Sequence, residues 1–227
     1  MRCLICNATI LAVPSVQMIL QFKRLALPTI CQRCLAEFTP ITGSICPDCG
    51  RPWSASTPCP DCQQWRQQYS NERLQNRALF QYDQAMKDYF QRYKGQGDYH
   101  LRQLFQALII TQQPPQPQTW YVPIPTDAAH LAQRGFDPVL GLYQECYPLV
   151  ALLQKQPTQC GQAQKNRRQR LASPQFFKYQ PTQLTTQPRQ LIILDDIYTT
   201  GRTLWHAHQC LRPHFLKIPI RSMTLAR

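Results

Sequence analysis

Eight of the chain's 11 cysteines lie in its first 62 residues, as four C-x-x-C pairs: Cys3/Cys6, Cys31/Cys34, Cys46/Cys49 and Cys59/Cys62. Two intervening residues let both sulfurs of a pair point at one tetrahedral ion, and two pairs complete a four-thiolate site. The spacing predicts two structural Zn2+ sites: Cys3, Cys6, Cys31 and Cys34, then Cys46, Cys49, Cys59 and Cys62. A cross-braced arrangement, alternating the pairs, is the other grouping that the spacing permits. The segment Cys46–Cys62 reads C-x2-C-x9-C-x2-C, a compact zinc-ribbon-like unit with Pro47, Gly50 and Pro60 at its turns. So short a segment can hardly bury a core of its own, so metal must supply much of its folding energy. A disulfide framework would need a secreted protein. The apolar run at residues 10–20 is broken by Pro14, Ser15 and Gln17 and lies between cysteine pairs, so a signal peptide is not expected. No run approaches a membrane span, and the expected location is cytoplasmic. Cys146, Cys160 and Cys210 stand alone and read as plain thiols.

The second concentration of chemistry is "LIILDDIYTTGRT", residues 191–203. An apolar run stops at Asp195 and Asp196, then Thr199, Thr200, Gly201, Arg202 and Thr203 lead into a helix. In a parallel sheet, ligands bind beyond the C-terminal ends of the strands. Carboxylates there can accept hydrogen bonds from ribose hydroxyls and help hold Mg2+. Backbone N–H groups at the start of the next helix face a phosphate, the threonine hydroxyls add donors, and Gly201 lets the backbone approach closely. The expected ligand is a ribose 5-phosphate, with its diol on the acids and its phosphate on the loop.

These residues need a frame, and the hydrophobic pattern supplies it. "ALFQYD" (78–83) alternates as a strand; residues 84–94 carry Met86, Tyr89, Phe90 and Tyr93 at helical spacing; residues 99–112 read as a second helix. "TWYVPIP" (119–125) reads as a strand, followed by a helix from about Ala128 that breaks near "RGFDP". Residues 139–153 read as helical. "RQLIILDD", "RTLWHAHQCLR" and "KIPIRSMTLAR" complete the chain as strand, helix and strand. Strands alternating with helices predict an α/β domain with a mainly parallel sheet and flanking helices, preceded by the cysteine module. The expected division is 1–66 for the zinc-binding module, 67–77 for a polar linker and 78–227 for the α/β domain.

Charge is uneven. The formal net charge is +13, and 19 of the 25 Lys/Arg follow residue 72, against 8 Asp/Glu there. That balance favours polyanions, or is a solvated basic surface.

The full apolar-Asp-Asp-x-x-Thr-Thr-Gly-x-Thr string resembles the PRPP-binding signature of type I phosphoribosyltransferases. Together with the cysteine pairs, "YKGQGD" (93–98), "VPIP" (122–125), "QRGFD" (133–137) and "QAQKNRRQRL" (162–171), the whole chain resembles the ComF-type competence family. Where that family often has Asn-Gln after Arg-Gly-Phe, this chain has Asp137 and Pro138. The resemblance implies a type I phosphoribosyltransferase-like domain behind a zinc module, Mg2+ with PRPP, and a role in natural transformation that helps bring single-stranded DNA into the cytosol. It also implies a ComFA-type helicase-like ATPase as partner.

Lys94 and Gly95 fall where such a fold holds pyrophosphate; a helix-terminal lysine favoured by the dipole is the other reading of Lys94. Arg134 could contact phosphate or DNA, or pair on the surface. Lys165, Arg167, Arg168 and Arg170 could cover pyrophosphate, track a DNA backbone or form a solvated loop. His206 and His208 read as structural. Two functions remain open at this level: a competence factor that binds PRPP or a related ribose phosphate together with single-stranded DNA, or an active Mg-dependent phosphoribosyltransferase acting on an unidentified acceptor.

Overall fold

The computed structural model describes residues 1–10, 28–70, 72–156, 175–184 and 186–227. Cys160, Lys165, Arg167, Arg168 and Arg170 lie outside the described residues.

Four strands form one parallel sheet in the order β1-β6-β5-β2: β1 is Asn76–Phe80, β2 Thr119–Pro123, β5 Gln190–Ile197 and β6 Ile220–Ala226. The two central strands are buried or half-buried at every position but Arg221, which is why they read as apolar runs. Along β5 the period of two sends Leu191 and Ile193 to one face and Ile192 and Leu194 to the other. A separate antiparallel pair joins β3 (Leu153–Lys155) to β4 (Phe177–Tyr179). No helix among the described residues is long and apolar enough to cross a membrane.

The helices cover both faces. α1 (Gln32–Leu35) and α2 (Pro60–Gln68) belong to the cysteine-bearing part of the chain. α3 (Gln84–Phe90) starts because the Asp83 carboxylate accepts a hydrogen bond from the Met86 N–H at 3.0 Å, and it buries Met86, Tyr89 and Phe90. The helix expected to run to residue 94 changes character at Gln91: residues Gln91–Gly95 form a π-helical turn, a wider coil that often marks a functional site. The second expected helix is also two pieces, a 3-10 turn at Tyr99–Gln103 and α4 at Gln106–Gln112. α5 (Ala128–Arg134) ends at Gly135, whose left-handed backbone turns the chain into α6 (Pro138–Tyr143). Asp137 caps α6 through Val139 and Leu140 N–H groups at 2.9 and 3.0 Å, and Pro138 takes the first helical position, where a missing N–H costs nothing. Residues 139–153, expected as helix, are helical only to Tyr143; the chain continues into β3 as a loop that buries Cys146, Tyr147, Val150 and Leu152. Apolar runs that short do not reveal their period. α7 (Arg202–Leu211) crosses from β5 to β6.

Candidate functional site

The site lies where the apolar alternation of β5 ends. Asp195 is 9% exposed, and its Oδ1 accepts the Asp196 N–H at 2.9 Å. Burial, reinforced by the neighbouring Asp196 charge, pushes the Asp195 carboxyl up to about 8. The Lys94 ammonium, carried by the π-helical turn, forms an ion pair with Asp196. The Tyr143 hydroxyl donates to the Asp195 carbonyl at 3.0 Å and fixes the strand end from below. Beyond the acids the chain turns at Gly201, φ +83°, and enters α7. A Cβ at Gly201 would lie 2.3 Å from the Tyr198 hydroxyl, so the loop can pack this closely only with glycine.

The opposite wall comes from the end of β2. The Ile124 N–H donates to the Leu194 carbonyl at 2.9 Å, and the Thr126 N–H to Asp137 Oδ2 at 2.8 Å. Asp127 then caps α5 by accepting the His130 N–H at 2.9 Å. Its carboxylate also meets His130 Nδ1 at 2.7 Å and the Lys155 ammonium at 3.1 Å. Partial burial opposes ionisation of Asp127, but these donors outweigh it and hold the carboxyl well below the usual range.

Between the walls is a cavity of about 290 Å3. Eight of the residues expected from sequence line it together: Lys94, Arg134, Asp195, Asp196, Thr199, Thr200, Arg202 and Thr203. Gly95 and Gly201 do not; Gly95 is exposed at the end of the π-helical turn, and Gly201 shapes the loop from behind. The Arg202 guanidinium also donates to the Tyr69 hydroxyl at 3.0 Å, tying the cavity to the cysteine-bearing part. Asp127, His130 and Lys155 were missed by sequence reasoning. The one available signal was Asp127 as a cap three residues before His130 in "PTDAAH".

The cysteines form two groups in sequential order, Cys3, Cys6, Cys31 and Cys34, and Cys46, Cys49, Cys59 and Cys62. Within each group the ligand sulfurs lie within 4.8 Å of one another. Cys46–Cys62 and Cys49–Cys59 are separated by 3.8 and 3.7 Å, and Cys6–Cys31 by 3.8 Å. A metal–sulfur bond of ~2.3 Å gives a tetrahedral edge of ~3.8 Å, so both groups fit zinc. Backbone N–H groups support the sulfurs: Cys31 N–H donates to Cys3 at 3.4 Å, and Cys59 N–H to Cys46 at 3.3 Å.

No family model matches the chain. It is 34% identical, over 235 aligned residues spanning all of both chains, to Competence protein ComFC of Streptococcus pneumoniae (strain ATCC BAA-255 / R6). It is 32% identical to Competence protein ComFC of Bacillus subtilis (strain 168), over 87% of this chain and 84% of that one. The first of these alignments spans the whole chain, cysteine groups and cavity walls alike, and on the two together the chain belongs to the ComF family.

Proposed function

We propose that this protein is a competence factor for natural transformation, acting in the cytosol with a bound ribose phosphate, PRPP being the fitting ligand. The observation that supports the ligand most is the convergence of Lys94, Asp195, Asp196 and the Thr199–Thr203 loop on one cavity at the strand ends. In this reading Asp195 and Asp196 receive the ribose diol, the N–H groups and hydroxyls of Thr199, Thr200 and Thr203 receive the 5-phosphate, and Lys94 receives pyrophosphate. Two adjacent carboxylates offering hard oxygen donors suit Mg2+, which would neutralise pyrophosphate charge when bound. The two cysteine groups hold structural Zn2+. The cavity-lining Arg134, with the basic residues of segment 162–171, tracks a single strand, and a ComFA-type helicase-like ATPase is the partner that the family suggests. The names of the relatives support the competence role.

The test is calorimetric titration with Mg-PRPP and, separately, with single-stranded DNA at several salt concentrations. Wild type binds PRPP, and Asp195→Ala/Asp196→Ala loses at least 100-fold in affinity. No binding at millimolar PRPP overturns the ligand. DNA affinity that is flat with salt overturns the basic surface, because phosphate neutralisation makes affinity fall with salt.

One observation favours a second reading, that of an active transferase. Asp127 holds His130 Nδ1 at 2.7 Å on the wall facing the acids. A carboxylate-oriented imidazole there could take a proton from an acceptor as its nucleophile displaces pyrophosphate at ribose C1. Mg-dependent release of pyrophosphate from PRPP, lost in His130→Gln, is the expected result for an enzyme. Stable PRPP in the presence of every acceptor tried leaves binding alone.

A further inference from the structure

Three consecutive carbonyls of the loop after the acids are pinned by Arg227, which bonds a sulfur of the second cysteine group, and by Trp65, on the helix that carries Cys62. The Arg227 guanidinium donates to the Tyr198 carbonyl at 3.3 Å and to the Thr199 carbonyl at 3.0 Å. Its other amino group donates to Cys49 Sγ at 3.3 Å. The Thr200 carbonyl accepts the indole N–H of Trp65 at 2.9 Å, and Trp65 lies three residues after the ligand Cys62 on α2. Tyr69, next along, stacks on Trp205 at 4.8 Å and so ties α2 to α7.

A trans peptide is planar, and its N–H points opposite its C=O. Drawing the carbonyls of 198, 199 and 200 toward the cysteine group therefore turns the N–H groups of Thr199, Thr200 and Gly201 the other way. Thr199 and Thr200 line the cavity, so that other way is toward the ligand. Four thiolates around one Zn2+ leave a net charge of about −2, which holds the Arg227 guanidinium in place.

We propose that the second zinc site is part of the phosphate site, with Arg227 and Trp65 as positioning residues that aim the loop's amides. It rests on the ribose-phosphate reading for the identity of the ligand, but the aim of the amides stands apart from it. Ligand affinity then depends on metal bound by Cys46, Cys49, Cys59 and Cys62.

Arg227→Met, Arg227→Lys and Trp65→Phe are compared with wild type and with Arg73→Ala. Arg73 bonds Asp48 and the Pro47 carbonyl beside the same cysteines and touches no carbonyl of residues 198–200, which makes it the control. Zinc content by mass spectrometry, Mg-PRPP affinity by calorimetry and hydrogen exchange of the Arg202 and Trp205 amides, which are bonded to the Thr200 hydroxyl and the Gly201 carbonyl of the loop, are read on each full-length protein. Arg227→Met keeps two zinc ions, loses ten-fold or more in affinity and exchanges at least ten-fold faster at these amides. Arg227→Lys, which keeps the charge, loses less. Trp65→Phe keeps the aromatic stack and loses three- to ten-fold. Arg73→Ala stays within two-fold. Unchanged exchange in Arg227→Met with zinc intact overturns the proposal. Faster exchange in a protein whose wild type binds no PRPP supports the tether and overturns the ligand. Loss of zinc from Arg227→Met also supports the tether only if Trp65→Phe, with zinc intact, shows the faster exchange, and overturns it otherwise.

Discussion

The two cysteine groups share the C-x-x-C spacing of their pairs and differ in almost everything else. In the second group all four cysteines are buried and sit in the same apolar cluster as Trp65, Leu191, Ile193 and Trp205. In the first, Cys6 is exposed and Cys31 half-exposed. The second is knitted to the sheet through backbone. The Asn76 N–H donates to the Asp48 carbonyl at 2.6 Å, and the Asn76 side-chain amide bridges the Cys49 carbonyl and Thr224 on β6. Asp48 itself, 3% exposed, is bonded bidentately by Arg66 and again by Arg73. The first group is held to the π-helical turn by Arg92, which donates to the Leu4 and Ile5 carbonyls at 3.2 and 3.3 Å and pairs with Asp98. The same set of four cysteines thus lies within the core in one place and forms an attached clip in the other. Each group reaches a different part of the cavity lining: the second lies behind the Tyr198–Thr200 loop through Arg227, and the first is bonded by Arg92 on the turn that carries Lys94.

Removing one ligand from each group should separate them most widely. A structural zinc contributes on the order of 10 kcal/mol, comparable to the whole stability of a domain of ~5–15 kcal/mol. In Cys49→Ser that loss falls inside the shared core, so we expect no cooperative melting transition, or a midpoint lowered by more than about 10 °C. Cys6→Ser should lose its zinc yet keep a cooperative transition of the sheet, within a few degrees of wild type. Equal shifts for the two variants in a thermal melt would erase the distinction.

A smaller lesion tests the close approach alone. Gly50 has φ +74°, and a Cβ there would lie 2.8 Å from the Asn76 carbonyl oxygen of β1. Gly43 has the same φ and open space around it. Gly43→Ala should cost about 1 kcal/mol, the expense of a left-handed alanine, and Gly50→Ala about 2–4 kcal/mol, since backbone must also move. Urea denaturation of the two variants reads the difference.

Arg92→Ala probes the clip. The ion pair to Asp98 is about one-third exposed on both sides and is worth little. The hydrogen bonds to the Leu4 and Ile5 carbonyls carry the attachment, so about 1–2 kcal/mol is expected. The sharper readout is chelation: zinc leaves the first group several-fold faster in Arg92→Ala, while release from the second group is unchanged.

The cysteine spacing made the number of metal groups legible, but not their depth, because depth is set by what packs around them. Asn76 and Arg227 carry no local signal that they will meet Asp48 or Cys49, which are 28 and 178 residues away in the chain. The strand-end acids and the Thr199–Thr203 loop were legible because a sheet end followed by a helix start is a local pattern. Asp127, His130 and Lys155 were not, since they meet only when the end of β2 and the short β3 are brought together. The π-helical turn was hidden too: Met86, Tyr89, Phe90 and Tyr93 satisfy an α-helical period, and the extra residue in the turn shows only in three dimensions.

The smallest expected effect uses acid to tell the two faces of the sheet apart. His206 and His208 on α7 lie on the side of the second cysteine group. They are the only buried histidines among the described residues. His206 is held neutral, lowered to about 4, by burial and by the charge of Arg202; its ring packs on Phe176 at 4.5 Å, and its Nδ1 has no partner. The folded state therefore binds fewer protons than the unfolded chain between about pH 6.5 and 4. Its stability contribution is intact above that window and is lost as pH falls through it. For one such histidine the loss from pH 7 to 6 is ~0.7 kcal/mol. His206→Phe keeps the ring contact with Phe176 and removes the titration. It should therefore flatten the stability profile between pH 7 and 6 by about that amount relative to wild type. Because acid also protonates metal-bound sulfur, the difference between the two proteins isolates the imidazole, which neither profile does alone. A difference near zero would mean that the His206 ring reaches water in the folded state, and that this face is less sealed than the second cysteine group requires.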